Sequence, residues 1–309
     1  CKKRFSCRGG QCCLKIGYFA DGQWSHKAFE KLIQDSDVFI EFICVRFDTQ
    51  DDTLKQFCQK HNIDYLKDED INSKVFIDKI SKYECDLFVS MSFNQIFKKE
   101  IINLTKYKII NCHAGKLPFY RGRNILNWVL INNENEFGIT VHYVDEGIDT
   151  GDIILQESYP ITKQDDYATL LEIAYVECAN ILYKAVCLFK GGCTLGKKQV
   201  QIHSTGFYCS QRKFGDEILN WNQSSEDIFN FVRAICYPGP KARAFINGEE
   251  VKINKVELVD NTVIYKCITG AILHIDKEKV LVKTSDSVIK ITEYEAGVKF
   301  KVGDRFEIT

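Results

Sequence analysis

The chain has 309 residues, 45% hydrophobic and 27% charged, with a formal net charge of -1 at pH 7. That length can bury a large core and house one or two domains, and no apolar run reaches the roughly 18–20 residues a membrane helix requires. Residues 206–309 carry 15 basic and 15 acidic side chains, a balance that weighs against a surface gripping many phosphates of a nucleic acid.

The opening run CKKRFSCRGGQCC, residues 1–13, has no periodicity and precedes the first strand pattern. It is expected to be a disordered or vector-derived lead. Its four cysteines lack a metal-site spacing, and no CxxC occurs among the 14 cysteines of the chain. Most of the others lie in apolar runs, as in FICV around Cys44 and AVCLF around Cys187, where free cysteine packs as a small hydrophobe. Structural thiols in a reducing cytoplasm, with no metal, follow from this pattern.

From Leu14 onward, strand and helix patterns alternate. LKIGYF predicts a buried strand, and Ser25 is placed to cap a helix over HKAFEKLIQ. DVFIEFICVR is the next strand, and DDTLKQFCQKHN a helix with acids at its positive end. DLFVSM and KIINCH follow as buried strands, each preceded by a helical stretch, SKVFIDKISKY and FKKEIINL. GITVHYVD and GDIILQESYPI read as extended segments, and DYATLLEIAYVECANILYKAVCLFK as a long helix ended by Gly191-Gly192. Short apolar strands between amphipathic helices imply an α/β fold with a doubly wound, mostly parallel, Rossmann-like sheet.

Beyond residue 207 the character changes. SSEDIFNFVRAI is helical, with Ser224 or Ser225 as cap. ARAFINGEEVKINKVELV, NTVIYKCI, AILHIDKEKVLVKT and SVIKITEYE are strand-like and turn-rich, with Asn-Gly as a hairpin signal. Two domains are expected, 14–206 and 207–309, the second a helix leading into a β-barrel-like, OB-like module. Neither GxGxxG nor GxxxxGK[ST] is present, so the sheet is not expected to hold a dinucleotide in the Rossmann manner.

The strongest chemical signal is KIINCHAGKLPFYRGRNILNW, residues 108–128. Asn111 and His113 stand where the strand pattern ends, the edge at which doubly wound sheets bind ligands. An imidazole there can take a proton while a neighbouring amide polarises a carbonyl. His26, His61, His203 and His274 read as surface or ordinary core residues, and packing is the favoured reading of His142. In YVDEGIDTGDI, glycines let backbone approach a ligand, and Asp149 could raise the basicity of an imidazole and fix its tautomer. A plain turn explains that stretch equally well.

Asn111-Cys112-His113, Leu117-Pro118, Arg121-Gly122 and Gly147-Ile148-Asp149-Thr150-Gly151, in this order, resemble the formyltransferases that use 10-formyltetrahydrofolate. The resemblance runs from about Leu14 to Pro160 and more loosely beyond. It implies formyl transfer to an amine, with Asn111 and His113 stabilising the oxyanion, His113 accepting the amine's proton and Asp149 supporting His113. It further implies a folate site walled by Met91, Phe93, Ile96, Leu117, Asp145 and Gly147. Lys116, where the family has Leu, departs from the pattern, and Cys112 reads as buried packing.

Within that family, Tyr120-Arg121-Gly122-Arg123 followed by Leu126-Asn127-Trp128 looks like the enzymes that formylate amino sugars on nucleotide carriers. That implies a dTDP-, UDP- or GDP-linked amino-dideoxysugar acceptor used for surface polysaccharide, no nucleic-acid or membrane partner, and a homodimer as a candidate assembly. Tyr120, Arg121, Arg123, Asn127, Trp128, Tyr208 and Arg212 are the expected substrate contacts. Methionyl-tRNA is the alternative acceptor.

Overall fold

The computed structural model describes residues 13–192, 195–262 and 266–308. The expected lead therefore falls, apart from Cys13, outside the described residues. The described strands are β1 Leu14–Ala20, β2 Val38–Val45, β3 Asp64–Lys67, β4 Leu87–Met91, β5 Ile109–His113, β6 Arg121–Gly122, β7 Glu136–Tyr143, β8 Ile153–Pro160, β9 Tyr208–Cys209, β10 Ala242–Ile246, β11 Glu249–Leu258, β12 Ile272–Asp276, β13 Lys279–Lys283 and β14 Val288–Ala296. The helices are α1 Gly22–Leu32, α2 Asp52–His61, α3 Lys74–Ile80, α4 Lys99–Ile102, α5 Ile125–Ile131, α6 Tyr167–Lys190 and α7 Ser225–Ile235.

The chain forms two compact units. The first contains the chain up to Gly122, Gly138–Tyr159 and Ile173–Tyr208; the second contains Arg123–Phe137, Pro160–Glu172 and Cys209–Thr309.

The first unit is built on a seven-stranded sheet of order β3-β2-β1-β4-β5-β7-β8. Pairs β1/β2, β2/β3, β1/β4 and β4/β5 are parallel, and β5/β7 is antiparallel. The sheet is thus mostly parallel, as its apolar strands require. Strand order reverses between β1 and β4, the position beyond whose carboxyl ends sheets of this kind bind ligands. One face of the sheet buries an aromatic core in which Phe19 meets Phe42, Phe88 and Phe97 at centroid distances of 5.6, 5.4 and 5.1 Å, all near edge-to-face.

The helix starts refine the sequence reading. Helix α1 begins at Gly22 with Asp21 as cap, and Ser25 lies inside it, its Oγ donating to the Gly22 carbonyl at 2.7 Å. Asp51 caps α2 by accepting from the Leu54 N–H, and Ser224 caps α7 by accepting from the Asp227 N–H. The run after Tyr120, given no element in the sequence reading, forms α5 from Ile125 onward. FKKEIINL yields only the four-residue α4.

The second unit carries an antiparallel sheet of order β10-β11-β14-β13-β12. Asn247-Gly248 makes a two-residue turn between β10 and β11, with φ of 52° and 79°, the left-handed pair such hairpins need. Part of NTVIYKCI lies outside the described residues. Trp221 is fully buried and stacks on Phe306 at 4.8 Å. No described helix is long and apolar enough to cross a membrane.

Gly17 in β1 shows how tightly the aromatic core is packed. A Cβ there would lie 2.4 Å from Phe42 Cζ and 2.8 Å from Phe88 Cδ1, and both rings are fully buried. Gly17→Ala is therefore expected to lower the unfolding free energy by about 1–3 kcal/mol, read as a fall in the urea midpoint at unchanged slope.

Candidate active site

Strand β5 runs through His113, as KIINCH predicts, and β7 pairs with it antiparallel, setting Asn111 opposite His142 and His113 opposite Thr140. Alternate residues share a face, so Asn111, His113, Thr140 and His142 project from one side of the sheet near its carboxyl edge. Cys112 points the other way, is buried, and lies with its Sγ 3.6 Å from the Cys178 carbonyl. Packing accounts for it.

The polar face forms a connected cluster. His113 is 9% exposed, and its Nε2–H donates to the Tyr120 carbonyl at 2.7 Å. That bond fixes the tautomer and leaves Nδ1 as the basic nitrogen, 3.6 Å from Asp149 Oδ2. His142, 2% exposed, donates Nδ1–H to the Tyr143 carbonyl at 2.8 Å. Its Nε2 accepts from Asn111 Nδ2 at 3.3 Å and lies 3.5 Å from Asp149 Oδ1. One amide hydrogen of Asn111 is thus used to orient the side chain.

Asp149 is held at φ 54°, left-handed backbone that costs free energy for a non-glycine residue. Its Oδ2 accepts from the Gly122 N–H at 2.9 Å. Burial alone would raise its carboxyl, but the charge His113 and His142 acquire on protonation, with the Gly122 N–H, holds it well below the usual carboxylate range. The loop around it is self-tied, since Asp145 Oδ1 accepts from the Gly147 N–H at 3.1 Å and Thr150 Oγ1 at 2.5 Å. A Cβ at Gly151 would lie 1.8 Å from the Tyr143 carbonyl oxygen, and one at Gly115 2.4 Å from His113 Nε2. Only glycine fits at either place.

The remaining expected residues are distributed as follows. Met91 is 1% exposed at the end of β4, Phe93 packs on Phe19 at 5.4 Å, and Ile96 is 58% exposed. Leu117 is buried, and its carbonyl accepts from Gln156 at 2.8 Å. Tyr120 is buried with its ring against Phe207 at 5.0 Å. Arg121 is 8% exposed and spends its guanidinium on Gln199 and the Thr205 carbonyl, 5.4 Å above the Tyr208 ring, which is itself exposed. Arg123 is exposed. Asn127 is buried and donates to the Ala234 carbonyl, and Trp128 Nε1 donates to the Ser210 carbonyl. Arg212 lies between the Trp128 and Phe231 rings at 5.8 and 5.5 Å, and burial lowers its pKa from the ordinary value. Lys116, unexplained in the sequence, has its stem against Gly138, where a Cβ would come within 2.5 Å of it.

Two participants were not read from the sequence. His142 is recoverable only from the β5/β7 register. Gln199 lies in KKQVQ, a short 3-10 turn with no motif. Among the described residues no cluster of three or more His, Cys, Asp or Glu could hold a metal ion.

This arrangement can accept one proton at a fixed imidazole nitrogen, stabilise the resulting charge with a buried carboxylate and offer an amide donor alongside. Two family models match the chain, "Formyl transferase" over residues 45–186 and "Formyl transferase, C-terminal domain" over residues 213–303. A methionyl-tRNA formyltransferase of Fusobacterium nucleatum is 33% identical over 241 residues, 77% of this chain and 76% of that protein. Among solved structures, the sugar 3N-formyl transferase WlaRD, determined with dTDP and 5-N-formyl-THF, superposes with a TM-score of 0.68 at 22% identity, covering 93% of this chain and 99% of that one. A Helicobacter canadensis N-formyltransferase, determined with folinic acid and dTDP-3-aminofucose, gives 0.63 at 24% identity, covering 91% and 98%. Fold and site define a group-transfer enzyme, and the chain belongs to the formyl transferase family.

The lowered Asp149 pKa has a consequence for stability. In the unfolded chain this carboxyl titrates near the usual value of about 3.9, and in the fold it titrates lower. Its stabilisation is therefore complete above that unfolded value and is lost as pH falls through the folded one. Urea unfolding of the native protein and Asp149→Asn from pH 6 to 3 should give a difference that is largest near pH 5, where an imidazole is ordinarily charged and a carboxyl ordinarily ionised, and that shrinks below about pH 4.

Proposed function

We propose that this chain transfers the formyl group of 10-formyltetrahydrofolate to a primary amine. The observation that carries the reading is the buried cluster of Asn111, His113, His142 and Asp149 in a chain of this family. The folate supplies an activated formyl carbon and leaves as tetrahydrofolate. His113 Nδ1 takes the proton from the attacking amine, and Asp149 stabilises the imidazolium so formed. With one hydrogen of its amide on His142, Asn111 turns the other to the developing oxyanion. Asp149 also helps return the proton toward the leaving nitrogen.

The donor's pterin is assigned to the strand ends of β1 and β4, near Met91, Phe93, Ile96 and Leu117 and the Asp145–Gly147 loop. Just beyond β4, Asn94 Oδ1 is buried with no hydrogen-bond partner, and a ring carrying N–H donors suits it.

For the acceptor we put methionyl-tRNA first, which reverses the order expected from the sequence. Relatives at 29–33% identity, spanning up to 92% of their own length, are methionyl-tRNA formyltransferases. A nucleotide-linked amino sugar is the second reading, favoured by Tyr120–Trp128 and by charge. On the second unit's sheet, Lys241, Arg243 and Lys290 are ion-paired with Glu295, Glu217 and Glu257. The segments that follow β1, β2 and β3 bring Asp21, Asp48, Asp51, Asp68, Glu69 and Asp70. Neither feature suits a long phosphate backbone. A cytoplasmic setting agrees with the ten described cysteines, all free thiols.

The test is formylation of methionyl-tRNA and of a dTDP- or UDP-linked amino-dideoxysugar with 10-formyltetrahydrofolate, followed by mass spectrometry. Transfer to the sugar alone would remove the tRNA reading, and transfer to neither would remove the function. His113→Ala should lower turnover by about 10²–10⁴-fold while still binding folate. Turnover at the native rate would reject the role of His113.

A further inference from the structure

The side chain of Gln199 is saturated. Its Oε1 accepts from Arg121 Nε at 3.1 Å and Nη2 at 2.6 Å, and its Nε2 donates to the Asp149 and Gly151 carbonyls, both at 2.8 Å. An amide has two acceptor lone pairs and two N–H donors, so every bond it can make is made. Gln199 is 3% exposed. Its segment is anchored by Lys197 and Ile153, which exchange two backbone hydrogen bonds of 2.8 Å.

These bonds close a ring around Asp149. Its backbone carbonyl is held by Gln199, Gln199 is held by Arg121, and the next residue, Gly122, donates its N–H to the Asp149 carboxylate. We infer that Gln199, with Arg121 behind it, is a positioning residue that holds Asp149 against His113 for the proton transfer. The inference rests on the proposed formyl transfer for its kinetic consequence, but not for its structural one. It also reassigns Arg121, expected from the sequence to touch substrate, to the support of the catalytic loop. The physical reason is strain: a non-glycine residue at φ 54° relaxes unless its carbonyl and side chain are both fixed.

Gln199→Ala removes all four bonds. Gln199→Glu keeps an acceptor for Arg121 but turns a carboxylate oxygen toward two carbonyls, and its near-isosteric shape keeps the fold testable. In both variants kcat should fall by about 100-fold, the size expected of an ångström-scale misplacement, with KM for the folate donor within about 2-fold of native because no donor contact is removed. Amide hydrogen exchange over residues 145–152 should rise, and that over β5 should not. The exchange measurement needs no turnover, so it judges the positioning role even if the native protein proves inactive on both acceptors, an outcome that would count against the proposed function alone. Unchanged exchange over 145–152, or native kcat in a folded Gln199→Glu protein, would overturn the inference.

Discussion

The antiparallel pairing of β5 with β7 is the constraint on which the site depends. In a sheet whose other neighbours around β5 run parallel, this pair places Asn111 opposite His142 and His113 opposite Thr140. Side chains alternate with period two, so a slip of one residue would turn Cys112 and Val141 to the polar face and bury the amide and imidazoles on the other. The apolar partners on that other face, with Cys112 beside Cys178 of α6, make such a slip costly. The core thereby fixes the register, and the register fixes the chemistry.

Loops then supply what strands cannot. The His113 tautomer is set by a carbonyl from Tyr120, a residue held at φ 54°, and Asp149 arrives from the opposite chain direction in the same strained conformation. Two non-glycine residues in left-handed backbone, each with a polar group aimed at one imidazole, are stored strain placed around the candidate site. Glycines at 115 and 151 are where these loops touch neighbouring atoms too closely for any side chain. The glycines of Gly-Ile-Asp-Thr-Gly, expected to let backbone approach a ligand, are packed against Thr150 and the Tyr143 carbonyl of their own chain.

The sheet was legible because its signals are local. Buried strands at 14–20, 38–45 and 87–91 and the helix over 167–190 follow from apolar runs and periodicity. Short elements were not legible: β3 has one buried residue in four, and α5 follows a left-handed Asn124 with no side-chain cap. In the site, Asn111, His113 and Asp149 were readable as residue types in a motif. His142 was hidden because its partner comes from another strand, and Gln199 because its bonds go to backbone carbonyls that no sequence pattern encodes. Arg121 was misleading for the same reason, since a buried arginine and a ligand-facing one are identical on paper.

Internal hydrogen bonds occupy several of the side chains expected to meet a substrate. Arg121 is committed to Gln199, the Asn127 amide to Ala234 and the Trp128 indole N–H to Ser210, so none of these groups is available as a donor without breaking an internal bond. What stays exposed on the expected list is Arg123 and the Tyr208 ring, since Arg212 is packed on the Trp128 and Phe231 rings. An exposed guanidinium and a stacking ring can serve a nucleotide carrier or the terminal nucleotides of a tRNA alike. These contacts therefore do not separate the two proposed acceptors, and the place of methionyl-tRNA as the first of them rests on the relatives at 29–33% identity.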